Sequence, residues 1–381
     1  MSEQVENLKT ALSKIKSKDF GIYFYTIDTK GNPVASVANI YEHVKVLNEL
    51  GYRSYVLHQQ NDYKLYEDEN GMGIANWLGE EYANLPHASI EAQQLQVGPS
   101  DFLIIPEAFG GLIKETQNFP CKRIVLLQAY EYMLEDLGLG ENWQQFGVND
   151  VITTSNTQKE YVESVFRGTN THVLPVGIPD FFTTNEKPKK PIIAISSREK
   201  REILKLVKSF YQKYPHYKFV TFRDMSGMSR ETFASELRDS FLGVWIDDLS
   251  GFGTFPIECM KSNTPVVGKT PRMIPEWMGE TDENGTLNLK DNGVWTNNIN
   301  SIPDIVATMV GLYLEGGIPQ NITNGMGETA SNYTMENLRK NVETTYTNII
   351  GAREVELETL LTNAEEVETT KTKTETTVTN E

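Results

Sequence analysis

The densest set of residues able to do chemistry lies in Gly243-Val-Trp-Ile-Asp-Asp-Leu-Ser-Gly-Phe-Gly-Thr-Phe-Pro-Ile-Glu-Cys-Met-Lys-Ser-Asn-Thr-Pro-Val-Val267. A strand-like run enters a glycine-flanked loop, a helix begins near Phe255, and a second strand follows. Gly251 and Gly253 let a backbone approach a ligand closely. The free N–H groups at the helix start, reached through Phe252 and Thr254, suit phosphate oxygens. Glu258, about one turn into the helix, can accept hydrogen bonds from vicinal hydroxyls, as the acidic residue of nucleotide-binding folds does with ribose. A second cluster, Ser197-Arg-Glu-Lys-Arg201, sets Arg198, Lys200 and Arg201 at the start of a helix. Basic residues there oppose the helix dipole, which favours an anionic partner. Glu107, after Ile104-Ile-Pro106, is a further strand-end carboxylate.

The elements that must position these residues alternate in type. Phe20–Tyr25 reads as a buried strand, Gly31-Asn32-Pro33 as a turn, Ser36–Leu50 as an amphipathic helix closed by Gly51, and Tyr52–Leu57 as the next strand. Strand, loop, helix and strand within so short a span describe a parallel βαβ unit. Strands follow at Phe102–Ile105, Ile124–Leu127, Val151–Thr153 and His172–Val176. The polar, proline-bearing Thr183–Pro191 marks a linker. The alternation then restarts with strands at Ile192–Ser196, Lys218–Phe222, Gly243–Ile246 and Thr264–Val267 and helices at Arg201–Tyr214, Arg230–Asp239 and Phe255–Lys261. Sheets of this kind bind ligands outside the carboxyl ends of their strands.

At 381 residues the chain exceeds what one core usually serves, so two domains are expected. No apolar run approaches the ~20 residues of a membrane helix, and the start of the chain lacks a signal-peptide pattern. Val5, Leu8, Ala11, Leu12 and Ile15 instead suggest a lead-in helix packed on the body, with at most peripheral contact with a membrane. Cys121 and Cys259 sit in apolar contexts and read as buried free thiols, which suits the cytoplasm. A net charge of −17 disfavours nucleic-acid binding, which needs a basic footprint. His43, His58, His87, His172 and His216 have no metal-ligand spacing. The Thr- and Glu-rich stretch 352–381 reads as an acidic tail, disordered from about Thr362 onward.

The 243–267 stretch resembles glycosyltransferase family 4 and its neighbours, retaining enzymes of the GT-B fold, through Gly251-Phe-Gly253, Glu258, Met260 and Pro265-Val-Val267. The resemblance implies a fold of two Rossmann-like doubly wound α/β domains facing across a cleft. They would be residues 1–182 (acceptor side) and 192–334 (donor side), joined by linker 183–191, with a helix at 335–351 returning to the first domain. It gives Glu258 the nucleotide ribose, and Arg198 and Arg201 the diphosphate, with Lys200 a competitor. Ser250 stands where the family has its first Glu and is left to hydrogen-bond a donor hydroxyl. Gly31 and Asn32 occupy the place of the family's glycine loop, which approaches the donor phosphate or the acceptor. Gln128 falls where many members have a His touching the donor sugar, and Tyr130 and Glu131 adjoin an acceptor pocket. Asp247-Asp248-Leu-Ser250 echoes the metal-holding phrase of GT-A transferases but sits in the wrong half.

The function implied is transfer of a sugar from a nucleoside-diphosphate sugar to a hydroxyl acceptor (glycan, lipid-linked or protein). Configuration would be retained and no metal or other cofactor used, with Gln128 and Glu107 the candidate catalytic groups. Two alternatives share the architecture: a non-catalytic binding or scaffold protein, and a sugar-nucleotide 2-epimerase.

Overall fold

The computed structural model describes residues 3–67, 69, 72–92, 96–184, 187–248 and 251–378, with side chains to 370. A first helix, α1 (Glu3–Lys16), leads into β1 (Gly21–Thr26), α2 (Ala35–Glu49) and β2 (Arg53–His58). Two short helices, α3 (Ile74–Trp77) and α4 (Glu80–Ala83), precede β3 (His87–Ser89), β4 (Phe102–Pro106), α5 (Gly110–Glu115), β5 (Lys122–Leu127), β6 (Asp150–Thr153), α6 (Asn156–Val165) and β7 (Asn170–Val173). The strands form one parallel sheet in the order β3-β2-β1-β4-β5-β6-β7. Its direction of winding reverses between β1 and β4.

A second parallel sheet follows. It is built from β8 (Lys190–Ser196), α7 (Lys200–Lys213), β9 (Thr221–Asp224), α8 (Arg230–Asp239), β10 (Ser240–Trp245), α9 (Thr254–Lys261) and β11 (Val266–Lys269). An antiparallel hairpin, β12 (Gly279–Thr281) and β13 (Leu287–Leu289), precedes β14 (Val294–Thr296), α10 (Ile302–Glu315) and α11 (Gln320–Asn332). The order β14-β11-β10-β8-β9 puts the reversal between β8 and β10.

Both sheets are buried on two faces, which is why their strands read as continuous apolar runs. Along β4 and β5 the side chains alternate between two cores: Ile104, Ile124 and Leu126 on one face, Leu103, Ile105, Val125 and Leu127 on the other. The second sheet repeats this, with Ala194, Trp245 and Val266 opposite Ile193, Val244 and Val267. Cys121 and Cys259 are buried free thiols, as expected.

The C-terminal region departs from the sequence reading. One helix, α12 (Met335–Val378), continues through the stretch expected to be disordered. Leu338, Val342, Tyr346, Ile349 and Leu357 join the first core beside α2. Past that point α12 lies along α1, tied by Lys16 to Glu358 (3.0 Å) and Lys9 to Glu365 (2.8 Å). Composition hid this, because lysines on α1 supply what the glutamates lack and few apolar contacts are needed. The expected linker is also shorter than read, since β8 begins at Lys190.

Candidate functional site

Each sheet places its reactive loops at its own reversal point. After β8 come Ser197 and Arg198, and after β10 come Asp247 and the Gly251 loop. After β1 comes the Gly31 turn, and after β4 comes Glu107. Divergent connections there leave a crevice that neighbouring helices do not fill.

The loop before α9 is held from below. Gly253, the residue preceding the helix, has φ +77°, and a Cβ on it would lie 2.9 Å from the Trp245 ring. A left-handed backbone and an indole beneath it leave room only for glycine. Trp277 Nε1 donates to the Phe252 carbonyl at 2.6 Å, and the Phe252 ring meets Tyr333 edge-on. Gly251 faces the other half of the chain: Gln158 Nε2 and the Gln128 carbonyl lie over it. Pro256 is tolerated in the first turn of α9 because N–H groups there have no helical acceptor. Ser250 lies outside the described residues.

Glu258 projects from the second turn of α9 and is partly exposed. No described residue gives its carboxylate a hydrogen bond. Burial pushes the carboxyl up to about 7, against the pull of the nearby Arg230 guanidinium. A carboxylate so placed is free to accept from a ligand's hydroxyls.

The basic cluster separates. Arg198, half exposed, reaches Asp247 through Nε (3.3 Å) and donates from Nη1 to the Tyr132 hydroxyl (3.3 Å) across the crevice. Lys200 turns to Asp224 (2.6 Å) and Ser226 at the end of β9. Arg201 is exposed on α7, with no ion pair among the described residues. Of the three, only Arg198 is tied to both halves. Asp248, the second carboxylate of the Asp-Asp phrase, is bound by Lys269.

On the facing half, Glu107 is buried, and its Oε1 accepts the Ala129 N–H at 2.6 Å. Burial raises its carboxyl to about 7, opposed by backbone N–H groups and the charge of Arg198. Its Oε2 has no partner among the described residues. Gln128 is engaged at both ends: Asn39 donates to its Oε1 (3.1 Å), and its Nε2 donates to the Ser36 carbonyl (3.2 Å). It pins β5 to the start of α2. Gly31 (φ +76°) packs against Met72, while Asn32 is exposed and folds back on Thr29. Tyr130 donates to Glu131 (2.8 Å), whose carboxylate lies 3.8 Å from Arg272 of the second half.

Several residues at this junction escaped the sequence reading. Gln158, fully buried, accepts from Thr154 and donates to the Gln128 carbonyl. Asn156 and Thr157 of α6 bind Glu276 and the Ile274 carbonyl. Arg230 pairs with Glu42. A basic residue in the first turn of a helix is the anomaly that Lys200 and Arg201 show on α7, and Arg230 carries it on α8.

No family model matches the chain. An α-1,6-glucosyltransferase of Actinobacillus pleuropneumoniae is 22% identical over 316 residues, 81% of this chain and 89% of the relative. The pneumococcal O-GlcNAc transferase GtfA, solved with UDP and GlcNAc, superposes with a TM-score of 0.58 at 11% identity, over 88% of this chain and 99% of that one. Anabaena HepE with UDP-glucose gives 0.59 at 12% identity, over 86% and 99%. Sucrose-phosphate synthase from Thermosynechococcus elongatus gives 0.59 at 11%, over 87% and 99%. No helix among the described residues is long and apolar enough to cross a membrane. Two parallel sheets meeting at their reversal points, matched over nearly the full length of these neighbours, give the chain the GT-B fold, and the proteins it resembles are glycosyltransferases of that fold.

Proposed function

We propose that this chain is a cytoplasmic glycosyltransferase that moves a sugar from a nucleoside-diphosphate sugar to a hydroxyl of a glycan, lipid-linked or protein acceptor. The observation that carries the reading is Glu258: a carboxylate without a hydrogen-bond partner among the described residues, one turn beyond a glycine loop at the reversal of the second sheet. It holds the ribose. The N–H groups of Thr254 and Phe255 receive phosphate oxygens at the positive end of α9. Arg198, already spanning the crevice, neutralises the leaving diphosphate, so the reaction proceeds without a metal. Glu107 orients an incoming hydroxyl through its Oε2. The anomeric configuration is retained, and no side-chain nucleophile is assigned.

The glucosyltransferase relative and the UDP-glucose complex of HepE make UDP-glucose the first donor to test. Melting curves with UDP-, GDP- and ADP-sugars, on wild type and Glu258→Ala, test the site by mass action. A shift by one sugar nucleotide that Glu258→Ala abolishes supports the assignment. A wild type unmoved by a panel that includes CDP- and dTDP-sugars rejects it and favours a scaffold role.

A further inference from the structure

The Asp-Asp phrase of the sequence is divided between two cations. Asp248 goes to Lys269 at the end of β11. Asp247 goes to Arg198, whose Nε lies 3.3 Å from Oδ2. The second pairing follows from register. β8 and β10 are parallel neighbours whose last paired residues are Ser196 and Trp245, and the Ile246 N–H still donates to the Ser196 carbonyl at 3.4 Å. Arg198 and Asp247 each lie two residues beyond that last pair. The continued register sets them side by side, at the reversal point of the sheet.

The two partners differ in freedom. Asp247 is 14% exposed and follows Trp245 and Ile246, which are buried in the cores on opposite faces of the sheet. Arg198 is 48% exposed, on the loop between β8 and α7. Its Nη1 donates to the Tyr132 hydroxyl of the facing half at 3.3 Å. Tyr132 is itself well fixed. Its N–H donates to the Ala129 carbonyl at 3.2 Å, the Ala129 N–H donates to the buried Glu107, and the adjoining Met133 is buried. The guanidinium therefore points across the crevice with the Asp247 carboxylate at its back.

We propose that Asp247 is a positioning residue that aims Arg198 at the diphosphate of the donor. The inference rests on Arg198 being the arginine that grips that diphosphate. The carboxylate acts on the grip in two opposed ways. As a neighbouring anion it weakens the pull on phosphate, but an ion pair this exposed is worth little. As an anchor it removes in advance the freedom that a long cationic side chain would lose on closing around phosphate, which is the larger quantity. Orientation wins, so taking Asp247 away weakens diphosphate binding even though it takes a negative charge from the site. A carboxylate that only balanced charge would have the opposite effect. One that only braced the loop would act whether or not Arg198 were present.

The test compares UDP with uridine, which lacks the diphosphate, by calorimetry for the first and NMR titration for the second. If the melting panel selects another nucleotide, its diphosphate and nucleoside take their place. Arg198→Met should weaken UDP by about 10- to 100-fold, the usual worth of a hydrogen bond to a charged group, and leave uridine unchanged. Asp247→Ala should weaken UDP by about fivefold to tenfold, the scale for immobilising one flexible side chain, again with uridine unchanged. Asp247→Asn, which keeps an oxygen beside Nε, should recover most of that loss, and Asp247→Ser repeats the truncation if the alanine variant fails to fold. In the Arg198→Met background Asp247→Ala should cost nothing further, because the residue it acts through is gone. UDP affinity unchanged or raised by Asp247→Ala, or a loss of equal size without Arg198, would overturn the positioning role alone. An Arg198→Met variant that binds UDP like wild type overturns the diphosphate assignment beneath it. A wild type that binds no nucleoside diphosphate overturns the donor reading, and with it this role.

Discussion

A Cβ on Gly251 would lie 2.2 Å from Nε2 of Gln158, so the loop before α9 and helix α6 of the facing half meet at a separation only glycine permits. The Gln158 amide cannot simply swing away, because it bridges Thr154 and the Gln128 carbonyl. Gly251→Ala should therefore cost about 1–3 kcal/mol, the usual range for overpacking. Truncating the obstacle in Gly251→Ala/Gln158→Ala should return part of that loss, a coupling measurable by a double-mutant cycle. Strictly additive effects would show that the two residues do not meet.

The Phe252 carbonyl depends on one indole. Trp277→Phe keeps an aromatic ring, though a smaller one, and removes the N–H that reaches the carbonyl at 2.6 Å. A buried acceptor left without its donor costs about 1–3 kcal/mol. The urea midpoint should fall with the slope unchanged.

Arg198 and Lys200 are two residues apart yet should differ sharply. Arg198 crosses to Tyr132, whereas Lys200 is occupied by Asp224. Arg198→Met should lower turnover by about 10²–10³, the scale for losing one donor to developing charge. Lys200→Met should stay close to wild type in the same assay.

Burial raises the Glu107 carboxyl from 4.5 to about 7. The folded chain then holds a proton that the unfolded chain has released. The resulting stability is fully present below about pH 4.5 and is lost as pH rises through 7. Glu107→Gln, which keeps an oxygen for the Ala129 N–H, should flatten the fall in Tm between pH 5 and 8. A difference from wild type that stays constant with pH would place the carboxyl at its ordinary value.

The end of α12 can be divided by truncation. Arg353 donates to the Pro99 and Pro120 carbonyls, and Leu357 is fully buried. A stop after residue 351 removes both and should destabilise strongly, since Leu357→Ala alone carries about 2–5 kcal/mol. A stop after residue 370 should leave the melting temperature close to wild type.

The parallel strands were legible because burial on two faces leaves continuous apolar runs, bounded by Gly51, Pro106 and Pro265. Arg230–Asp239 reads as a helix to the residue, with Ser229 capping it. The β12–β13 hairpin was not legible, since all its strand residues but Gly279 are exposed, leaving no buried face to set a period, and its strands are three residues long. At the site, Gly251, Gly253 and Glu258 announce themselves by type and spacing. Gln128 could not: only the fold reveals that Asn39 and Ser36 occupy both ends of its amide. Arg230 carries a local signal, but its partner Glu42 lies 188 residues away, a pairing that no local pattern encodes.

The first sheet is made before the second and completed after it. Its core includes Leu338, Val342, Tyr346 and Ile349 of α12, and the segment entering that helix is fastened where Ile178 bridges Thr334. A nascent chain that has translated every strand of both sheets still exposes the hydrophobic seat of those four side chains. Until α12 arrives, that seat is a surface for chaperones or for misassociation, so the first half is completed only once α12 has been made.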